Sequence, residues 1–307
     1  MKNKHHKVAV ALSGGVDSSV AAALLKKQGF EVVGFHMQLW KSSPNKAQQA
    51  EIENRVKQIG KVLDIPVKIF DFKKEFKDCV VQYFIDSYKK GTTPNPCVVC
   101  NAKIKFGLLM EKAQELGCNY LATGHYAKKL KMKNEKLKIL RAKDKKKDQT
   151  YFLWKLSQRQ LKHILFPLGQ IENKQKVREM AKKFGLPTAK TPESNDICFL
   201  RATNTSDFLS KNLQVKQGKI IDTKRSLLGE HQGLWFYTVG QRKGLGLSGG
   251  PWFVVEKNFE KNILIVSTNE KDLLKKEVRF KNANWLHKPE HFPFKAKAKI
   301  RYGAELA

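Results

Sequence analysis

The sequence predicts an α/β fold in which a parallel sheet with helices on both faces is followed by smaller β-rich domains. Three observations support this prediction. Short apolar runs alternate with amphipathic helical stretches in the N-terminal part of the chain. A glycine-containing turn joins the first strand to the first helix. After Leu186 the chain changes to loops, and from Gly218 onward to strands separated by glycine-rich turns.

The N-terminal elements follow from residue periodicity. Four apolar runs predict strands at residues 8–12, 31–37, 67–72 and 119–122. Apolar residues at helical spacing predict helices at residues 20–25, 47–63 and 105–116, and Gly29 and Gly117 follow two of them as stop signals. Because strands and helices alternate, we expect βαβ units and a parallel sheet.

The middle of the chain predicts a lysine-rich hairpin, with strands 127–131 and 136–141 around Asn134 and a charge run at 143–147. Two interpretations remain open: an exposed, solvated excursion or an RNA-facing arm. Further helices are expected at 158–164 and 175–184, the second with Asn173 as its N-cap.

These patterns predict three domains. Residues 1–204 would form the catalytic domain, and residues 205–271 a small β-rich central domain. Residues 278–302 resemble the start of another β module, so residues 272–307 are expected to begin a C-terminal β-barrel that is incomplete.

Charge and hydropathy limit the classes of function. Among 307 residues, 59 Lys and Arg oppose 28 Asp and Glu, which gives a net charge of +31. A field of this size attracts polyanions but does not distinguish RNA from DNA or from an acidic membrane surface. No apolar run reaches the length of a membrane span, and the N-terminus lacks the pattern of a signal peptide, so we expect a cytoplasmic protein.

The string SGGVDS at residues 13–18 lies between the first predicted strand and helix. Its glycines let the backbone approach a phosphate closely, and the helix N-terminus offers unpaired N–H groups. No lysine stands where a Walker A loop requires one, so the string is not a P-loop of that type. Asp17 would add negative charge beside a phosphate, which suits a role in holding Mg²⁺. We interpret the string as a nucleotide site rather than a serine-capped turn.

The five cysteines point to thiol chemistry. An odd number without a secretion signal argues against a disulfide framework. Cys97 and Cys100 precede a predicted helix, whose dipole, together with nearby lysines, would favour thiolate. Half of a zinc site or a redox pair are alternatives, but no second C-x-x-C is present and the surroundings are unlike thioredoxin. Cys198 is a third candidate thiol, whereas Cys79 and Cys118 have apolar neighbours and are expected to be bystanders.

The SGGVDS string resembles that of the PP-loop ATP pyrophosphatases, which have an adenine nucleotide α-hydrolase-like fold and use ATP to adenylate a carbonyl oxygen. Further strings are similar to those of one family, the tRNA-specific 2-thiouridylases, in order and spacing over nearly the whole chain. They are TPNP with a following Cys-Asn (93–101), ATGHY (122–126), KDQTYFL (147–153), ICF (197–199) and YTVGQRKGLG (237–246).

The resemblance implies an ATP-dependent sulfur transfer to the wobble uridine of tRNA, with assigned residues. ATP would contact Ala11, Leu12, Ser13, Gly14, Gly15, Val16, Asp17, Ser18, Met37 and Gly124. The tRNA and its target base would contact Asn95, Pro96, Cys97, His125, Lys147, Asp148 and Gln149. Cys100 would be the nucleophile and Cys198 the cysteine that receives persulfide sulfur.

Two departures from the family pattern bear on this assignment. Many relatives carry Asp, often assigned an acid–base role, where this chain has Cys97. Relatives also continue past Tyr302, where their tRNA-contacting residues are replaced here by Gly303 and Ala304. Cys97, Cys100 and Cys198 could alternatively ligate a [4Fe-4S] cluster that leaves one iron for sulfide.

The implied cofactors are ATP and Mg²⁺, and the implied partners are tRNA and a persulfide donor protein, either a cysteine desulfurase or a sulfur relay. We expect no membrane partner and a monomer. Two rival functions are an amidating PP-loop enzyme, which would need neither tRNA nor cysteine, and a non-catalytic RNA-binding protein that uses ATP only as a ligand.

Overall fold

The computed structural model describes residues 6–40, 46–133, 135–193, 197–200 and 203–304, which divide into two compact units. The first unit is built from residues 1–79, 97–195 and 284–307, and the second from residues 80–96 and 196–283. Asn134, the predicted hairpin turn, lies outside the described residues. Among those residues, no helix has the length and apolar character that crossing a membrane requires.

A five-stranded parallel sheet forms the centre of the first unit, in the order β3-β2-β1-β4-β7. Its strands are β1 (Lys7–Ala11), β2 (Glu31–Gln38), β3 (Val67–Asp71), β4 (Tyr120–Ala122) and β7 (Ile164–Leu165). The chain leaves β1 towards β2 on one side, and β4 lies on the other side, so β1 is a topological switch point. Open parallel sheets bind ligands beside such points, at the carboxyl ends of the strands.

The helices of the first unit follow the strands. They are α1 (Val16–Lys27), α2 (Lys46–Leu63), α3 (Lys73–Phe76), α5 (Pro96–Val99), α6 (Leu109–Glu115), α7 (Gln158–Lys162) and α8 (Lys174–Lys183). Between α5 and α6 the chain is a π-helix, Cys100–Leu108. Val20 and Ala21 of α1 and Val177 and Ala181 of α8 are fully buried in one apolar core. Helices α1 and α8 therefore contribute to the same core.

A separate antiparallel hairpin, β5 (Ala127–Lys131) and β6 (Leu137–Arg141), also belongs to the first unit. One face points inward, because the Lys129 ammonium donates to the carbonyl oxygens of Leu161 and Ile164 at 2.9 and 2.6 Å. The opposite face includes Leu130 and Leu140, which are 48% and 37% exposed. The predicted hairpin is therefore present, with one packed and one solvent-facing side.

The second unit contains a four-stranded sheet in the order β10-β11-β8-β9. The strands are β8 (Gly218–Asp222), β9 (Leu227–His231), β10 (Phe253–Asn258) and β11 (Ile263–Ser267). Its helices are α4 (Gln82–Lys89) and α9 (Thr205–Asn212), and a second π-helix, Lys77–Val81, leads into α4. Phe84 of α4 packs edge-on against Phe199 and Phe208, with ring centroids 5.2 and 6.0 Å away.

The structure confirms the predicted fold class and differs from the expected elements in three places. Ile164 belongs to a two-residue strand rather than to a helix. The helix that carries Cys100 begins at Pro96, not after the cysteine pair, and continues in π-register. Residues 278–304, all of which are described, contain no strand, so the β module expected there is not formed.

Candidate active site

The loop between β1 and α1 has the geometry of an anion site. Gly14 has a positive φ of 75°, and an added Cβ there would lie 3.2 Å from the Ile52 side chain of α2. The N-cap of α1 is Gly15, which has no side chain to accept a hydrogen bond from the first N–H groups of the helix. The first N–H groups of a helix lack intrahelical partners, so those of α1 are available to a ligand.

Serine hydroxyls hold this loop in shape. The Ser13 backbone N–H donates to Ser18 Oγ at 3.2 Å, and the two hydroxyl oxygens are also 3.2 Å apart. Ser18 Oγ in turn donates to the Gly15 carbonyl at 3.1 Å. Ser13 is exposed while Ser18 is buried, so the loop presents one hydroxyl outward and uses the other internally.

Gly124 brings a second strand end to the loop. A Cβ at this position would lie 2.8 Å from the Asp17 carbonyl carbon and the Ser18 nitrogen, so only glycine allows the approach. Gln149 holds Tyr126, two residues after Gly124, by two hydrogen bonds. The Gln149 side-chain oxygen accepts from the Tyr126 backbone N–H at 3.0 Å, and the Gln149 backbone N–H donates to the Tyr126 carbonyl at 2.9 Å. Three strings that lie far apart in the sequence therefore meet in the first unit.

The Asp17 carboxylate is engaged by two side chains that the sequence analysis did not assign. Lys174 Nζ donates to both Asp17 oxygens at 2.8 and 2.7 Å, and the Tyr126 hydroxyl donates to Oδ1 at 2.7 Å. Burial, followed by the Asp17 charge, raises the pKa of the Tyr126 phenol far above its usual value, so Tyr126 remains a donor. Asp17 is thus paired with an ammonium group in this structure, and its expected role in holding Mg²⁺ stays a prediction.

An ion-pair chain, Asp17–Lys174–Glu193–Lys147, extends from this carboxylate. Lys174 Nζ lies 3.4 Å from Glu193 Oε1, and Lys147 Nζ donates to Glu193 Oε2 at 2.5 Å. The hydrogen bond from Lys147 is the main cause that lowers the pKa of Glu193, against the effect of burial. The chain joins the loop at 13–18 to Lys147, which the resemblance assigns to tRNA.

Asp148, also assigned to tRNA by the resemblance, is 8% exposed and its carboxylate has protein partners. Its Oδ1 accepts from the Ala142 N–H at 3.0 Å, and its Oδ2 accepts from the Thr150 hydroxyl at 2.8 Å. These bonds join the hairpin β5–β6 to the KDQTYFL segment. The Asp148 carboxylate therefore has a structural role in this arrangement.

His125 is half-buried beside the rings of Phe106 and Phe166, at centroid distances of 5.9 and 6.4 Å. Its Nδ1 is 2.8 Å from the Thr123 hydroxyl. Burial, and to a lesser extent the Lys105 charge, lowers the pKa of His125 well below its usual value. The imidazole is therefore neutral at neutral pH and suits hydrogen bonding better than phosphate pairing.

Cys100 is buried at the start of the π-helix Cys100–Leu108. The Gln160 amide donates to the carbonyls of Ala102 and Phe106 at 3.0 and 2.7 Å, and Asn101 donates to the Phe152 carbonyl at 3.0 Å. Two side-chain amides therefore hold this nine-residue π-helix, which begins at the cysteine.

The expectation that the helix and its lysines keep both thiols ionised is wrong for Cys97. Desolvation raises the pKa of the Cys97 thiol, and the Lys105 charge that acts in the opposite direction is the smaller effect. The residue keeps an exposed surface, but protein atoms around the sulfur outweigh the lysine. Cys97 is therefore a neutral thiol near pH 7.

Cys198 begins a 3-10 turn, Cys198–Leu200, in the second unit and is exposed. Phe199, beside it in sequence, is 1% exposed and packs against Phe84 and Phe208. Cys100 lies in the first unit, and none of the five cysteines, all of them described, forms a disulfide bond. Cys118 is buried and Cys79 half-buried.

Comparison with known proteins identifies the family. Residues 6–202 match the model described as a tRNA methyl transferase HUP domain, and residues 206–268 match the model for a tRNA methyl transferase PRC-barrel domain. The tRNA-specific 2-thiouridylase MnmA of Clostridioides difficile is 41% identical over 313 residues, covering 97% of this chain and 85% of that protein. The chain belongs to the tRNA-specific 2-thiouridylase family.

Other family members have similar identities. MnmA of Bacillus cytotoxicus is 44% identical and covers 97% of this chain and 82% of its own length. MnmA of Staphylococcus saprophyticus is 46% identical over 270 residues, covering 87% of this chain and 73% of that protein. Among solved structures, the U34-tRNA thiolase NcsA from Methanococcus maripaludis has a TM-score of 0.41 and 23% identity, covering 69% of this chain and 68% of that one. A structural similarity this low supports no functional conclusion.

Proposed function

We propose that this protein is a tRNA-uridine 2-sulfurtransferase that uses ATP to convert the wobble uridine of tRNA to 2-thiouridine. Membership in the 2-thiouridylase family carries the proposal, and the PP-loop at residues 13–18 supports it physically. We retain the site residues predicted from the sequence, and add Tyr126 and Lys174 to the nucleotide side. The predicted boundaries 1–204, 205–271 and 272–307 stay a prediction.

ATP with Mg²⁺ as its counter-ion would be one substrate. The loop N–H groups of α1 would receive its phosphates, and the Lys174 charge would cancel that of Asp17 beside them. Within the described residues, no group of three or more His, Cys, Asp or Glu side chains is arranged to hold a metal ion. No step is therefore assigned to a [4Fe-4S] cluster ligated by Cys97, Cys100 and Cys198.

The first step would activate the target base. The uridine leaves its stack, as chemistry on a base in a folded RNA requires. Its C2 carbonyl oxygen attacks the α-phosphate of ATP, pyrophosphate leaves, and the oxygen becomes part of an AMP leaving group. Neutral His125, beside Gly124 at the nucleotide loop, would orient the base by hydrogen bonding rather than by charge.

The second step would transfer sulfur. A donor protein supplies a persulfide on Cys198, whose terminal sulfur attacks C2 and expels AMP. The Cys100 thiolate then attacks Cys198 Sγ, the C2–sulfur bond is retained, and a Cys100–Cys198 disulfide forms. Alternatively Cys100 attacks first and frees sulfide, which attacks C2. Either route needs a two-electron dithiol reductant to reopen the disulfide.

A reconstitution tests the function. Protein, ATP, Mg²⁺, a persulfide donor, a dithiol reductant and unmodified tRNA are incubated, and the digested RNA is analysed by mass for 2-thiouridine. We expect Cys100→Ser and Cys198→Ser each to abolish thiolation while ATP binding persists. Half-buried Cys79 is the matched control, and Cys79→Ser should retain activity.

The same reaction separates the rival functions. Pyrophosphate release without tRNA, and without any need for cysteine, would indicate an amidating PP-loop enzyme. Binding of tRNA with no pyrophosphate release would indicate a non-catalytic RNA-binding protein. Full thiolation by Cys198→Ser would refute the sulfur route.

A further inference from the structure

Leu12, the residue that leads into the loop at 13–18, is held against the neighbouring strand β2. It follows the last residue of β1, Ala11. Its backbone N–H donates to the Phe35 carbonyl at 2.7 Å. Its side chain is 2% exposed and packs over Gly34, where an added Cβ would lie 2.5 Å from Leu12 Cδ1. The remaining polar group of this buried residue is its carbonyl oxygen, which also needs a hydrogen-bond partner.

That partner is the imidazole of His36, a residue of β2. His36 Nδ1 lies 2.8 Å from the Leu12 carbonyl oxygen, and His36 is 5% exposed. Because a carbonyl oxygen can only accept, Nδ1 carries the proton of this bond. The other ring nitrogen, Nε2, is buried and has no hydrogen-bond partner among the described residues. Within that part of the chain, the bond to Leu12 is therefore the one hydrogen bond of the imidazole ring.

The backbone that carries His36 is held in the interior of the sheet. Strand β2 lies between β1 and β3, and His36 is in register with Ile69 of β3. The preceding residue, Phe35, has no accessible surface and packs against Phe70 with ring centroids 4.9 Å apart. Side chains on packed strands hold their positions more precisely than side chains on loops. His36 can therefore hold the Leu12 carbonyl in one place.

We propose that His36 is a positioning residue for nucleotide binding, which holds the loop at 13–18 in its phosphate-binding shape by donating to the Leu12 carbonyl. The inference rests on the proposed function. The buried imidazole acts through the backbone of Leu12 and not on the ligand itself. Without this donor the buried carbonyl loses its partner, and the loop must change shape to regain one. The order that ATP binding requires is then no longer present beforehand.

Two substitutions of His36 test this, with His163→Leu as the matched control. His36→Leu removes the donor, whereas His36→Asn keeps an N–H donor close to the position of Nδ1 on a smaller side chain. His163 Nδ1 also faces a backbone carbonyl of the first unit, that of Asn119 at 3.1 Å, but this bond lies at the amino ends of the strands. For each protein the dissociation constants for ATP with Mg²⁺ and for adenosine are measured, together with the unfolding temperature.

For His36→Leu we expect ATP affinity to fall about tenfold or more, because a buried carbonyl at the start of the loop loses its donor. Adenosine affinity should stay within about threefold of wild type, because adenosine has no phosphates for the loop N–H groups to receive. His36→Asn should recover most of the ATP affinity, although it fills less space than leucine. His163→Leu should leave both affinities unchanged. Nitrogen NMR of the wild-type imidazoles should show His36 as the Nδ1–H tautomer.

The inference is overturned if His36→Leu binds ATP as tightly as wild type, or if its affinities for ATP and adenosine fall by the same factor. Equal losses of ATP affinity in His36→Leu and His36→Asn would also overturn it, as would an Nε2–H tautomer in the wild-type protein. The thiolation assay separates the two levels. If wild-type protein binds ATP but forms no 2-thiouridine, the proposed function fails while these variants still decide the role of His36.

Discussion

At the scale of single residues, the site depends on one carboxylate with an unexpected partner. Asp17 is the only acidic residue in the string 13–18, and the sequence suggested a Mg²⁺ ligand. In the structure, Lys174 Nζ donates to both Asp17 oxygens. A triphosphate that approaches this loop therefore meets a neutral pair rather than an isolated negative charge.

Lys174→Met should weaken ATP binding about tenfold or more, because it leaves the Asp17 carboxylate without its ammonium beside the phosphates. Lys176→Met is the control, since Lys176 lies on the same helix but is exposed and pairs with Glu172. Titration with ATP in the presence of Mg²⁺ measures the effect. Adding Asp17→Asn to Lys174→Met should recover part of the affinity. A further loss in the double variant would show that Asp17 binds the metal.

At the scale of elements, the hairpin β5–β6 has two different lysine populations. Lys129 faces the protein interior, where its ammonium group donates to two carbonyl oxygens and burial lowers its pKa. Lys128 and Lys138 alternate with exposed Leu130 and Leu140 on the outer face. The outer face therefore carries two half-buried lysines, and the RNA-facing interpretation stays a prediction beside the solvated one.

The double variant Lys128→Glu, Lys138→Glu tests that interpretation. We expect tRNA affinity at low salt to fall about tenfold, and the salt dependence of binding to become shallower, because phosphate contacts are lost. Lys182→Glu, Lys183→Glu makes the same change in net charge on exposed residues of α8. Filter binding at several salt concentrations compares them. Equal losses in both double variants would show that only total charge matters.

Much of the fold could be predicted, because the first four parallel strands are apolar runs bounded by glycines or polar turns. Lys7–Ala11 and Glu31–Gln38 match the expected strands closely for this reason. Ile164–Leu165 could not be predicted, since two residues give no period and the pairing with β4 defines the strand. The π-register after Cys100 also depends on a distant side chain, Gln160.

The candidate site was predictable where a local string defines it and not where tertiary contacts do. The loop 13–18 and Gly124 follow from their sequence patterns, and the structure brings them together. Nothing local marks Lys174 or Glu193 as partners of Asp17 and Lys147. The raised pKa of Cys97 was equally hidden, because desolvation depends on atoms that the local sequence does not reveal.

At the scale of the whole molecule, each unit contains a histidine whose pKa is lowered. In the first unit it is His125, and in the second it is His231, which is fully buried at the end of β9. Desolvation is the main cause for both. Folding of each unit therefore favours the neutral form of its histidine, and this makes the free energy of unfolding depend on pH in mild acid.

Stability should fall as the pH drops below about 6.5, where these histidines bind protons in the unfolded chain but not in the folded one. Above that pH both states are neutral and the groups have no effect. Each histidine contributes at most about 1.4 kcal/mol per pH unit until its folded pKa is reached. Thermal unfolding at pH 7 and pH 5 measures the change. His231→Gln should reduce the pH dependence, and an unchanged slope would contradict its assignment.

The position of β1 has a consequence for how the protein comes apart. Val8, Ala9 and Val10 have no accessible surface and are paired with a strand on either side, whereas β3 and β7 are the outer strands of the sheet. Local unfolding begins at edge strands, because an edge strand has hydrogen bonds to only one neighbouring strand. The stretch that anchors the phosphate-facing turn is therefore the most durable part of the sheet, and nucleotide recognition should outlast the loss of either margin.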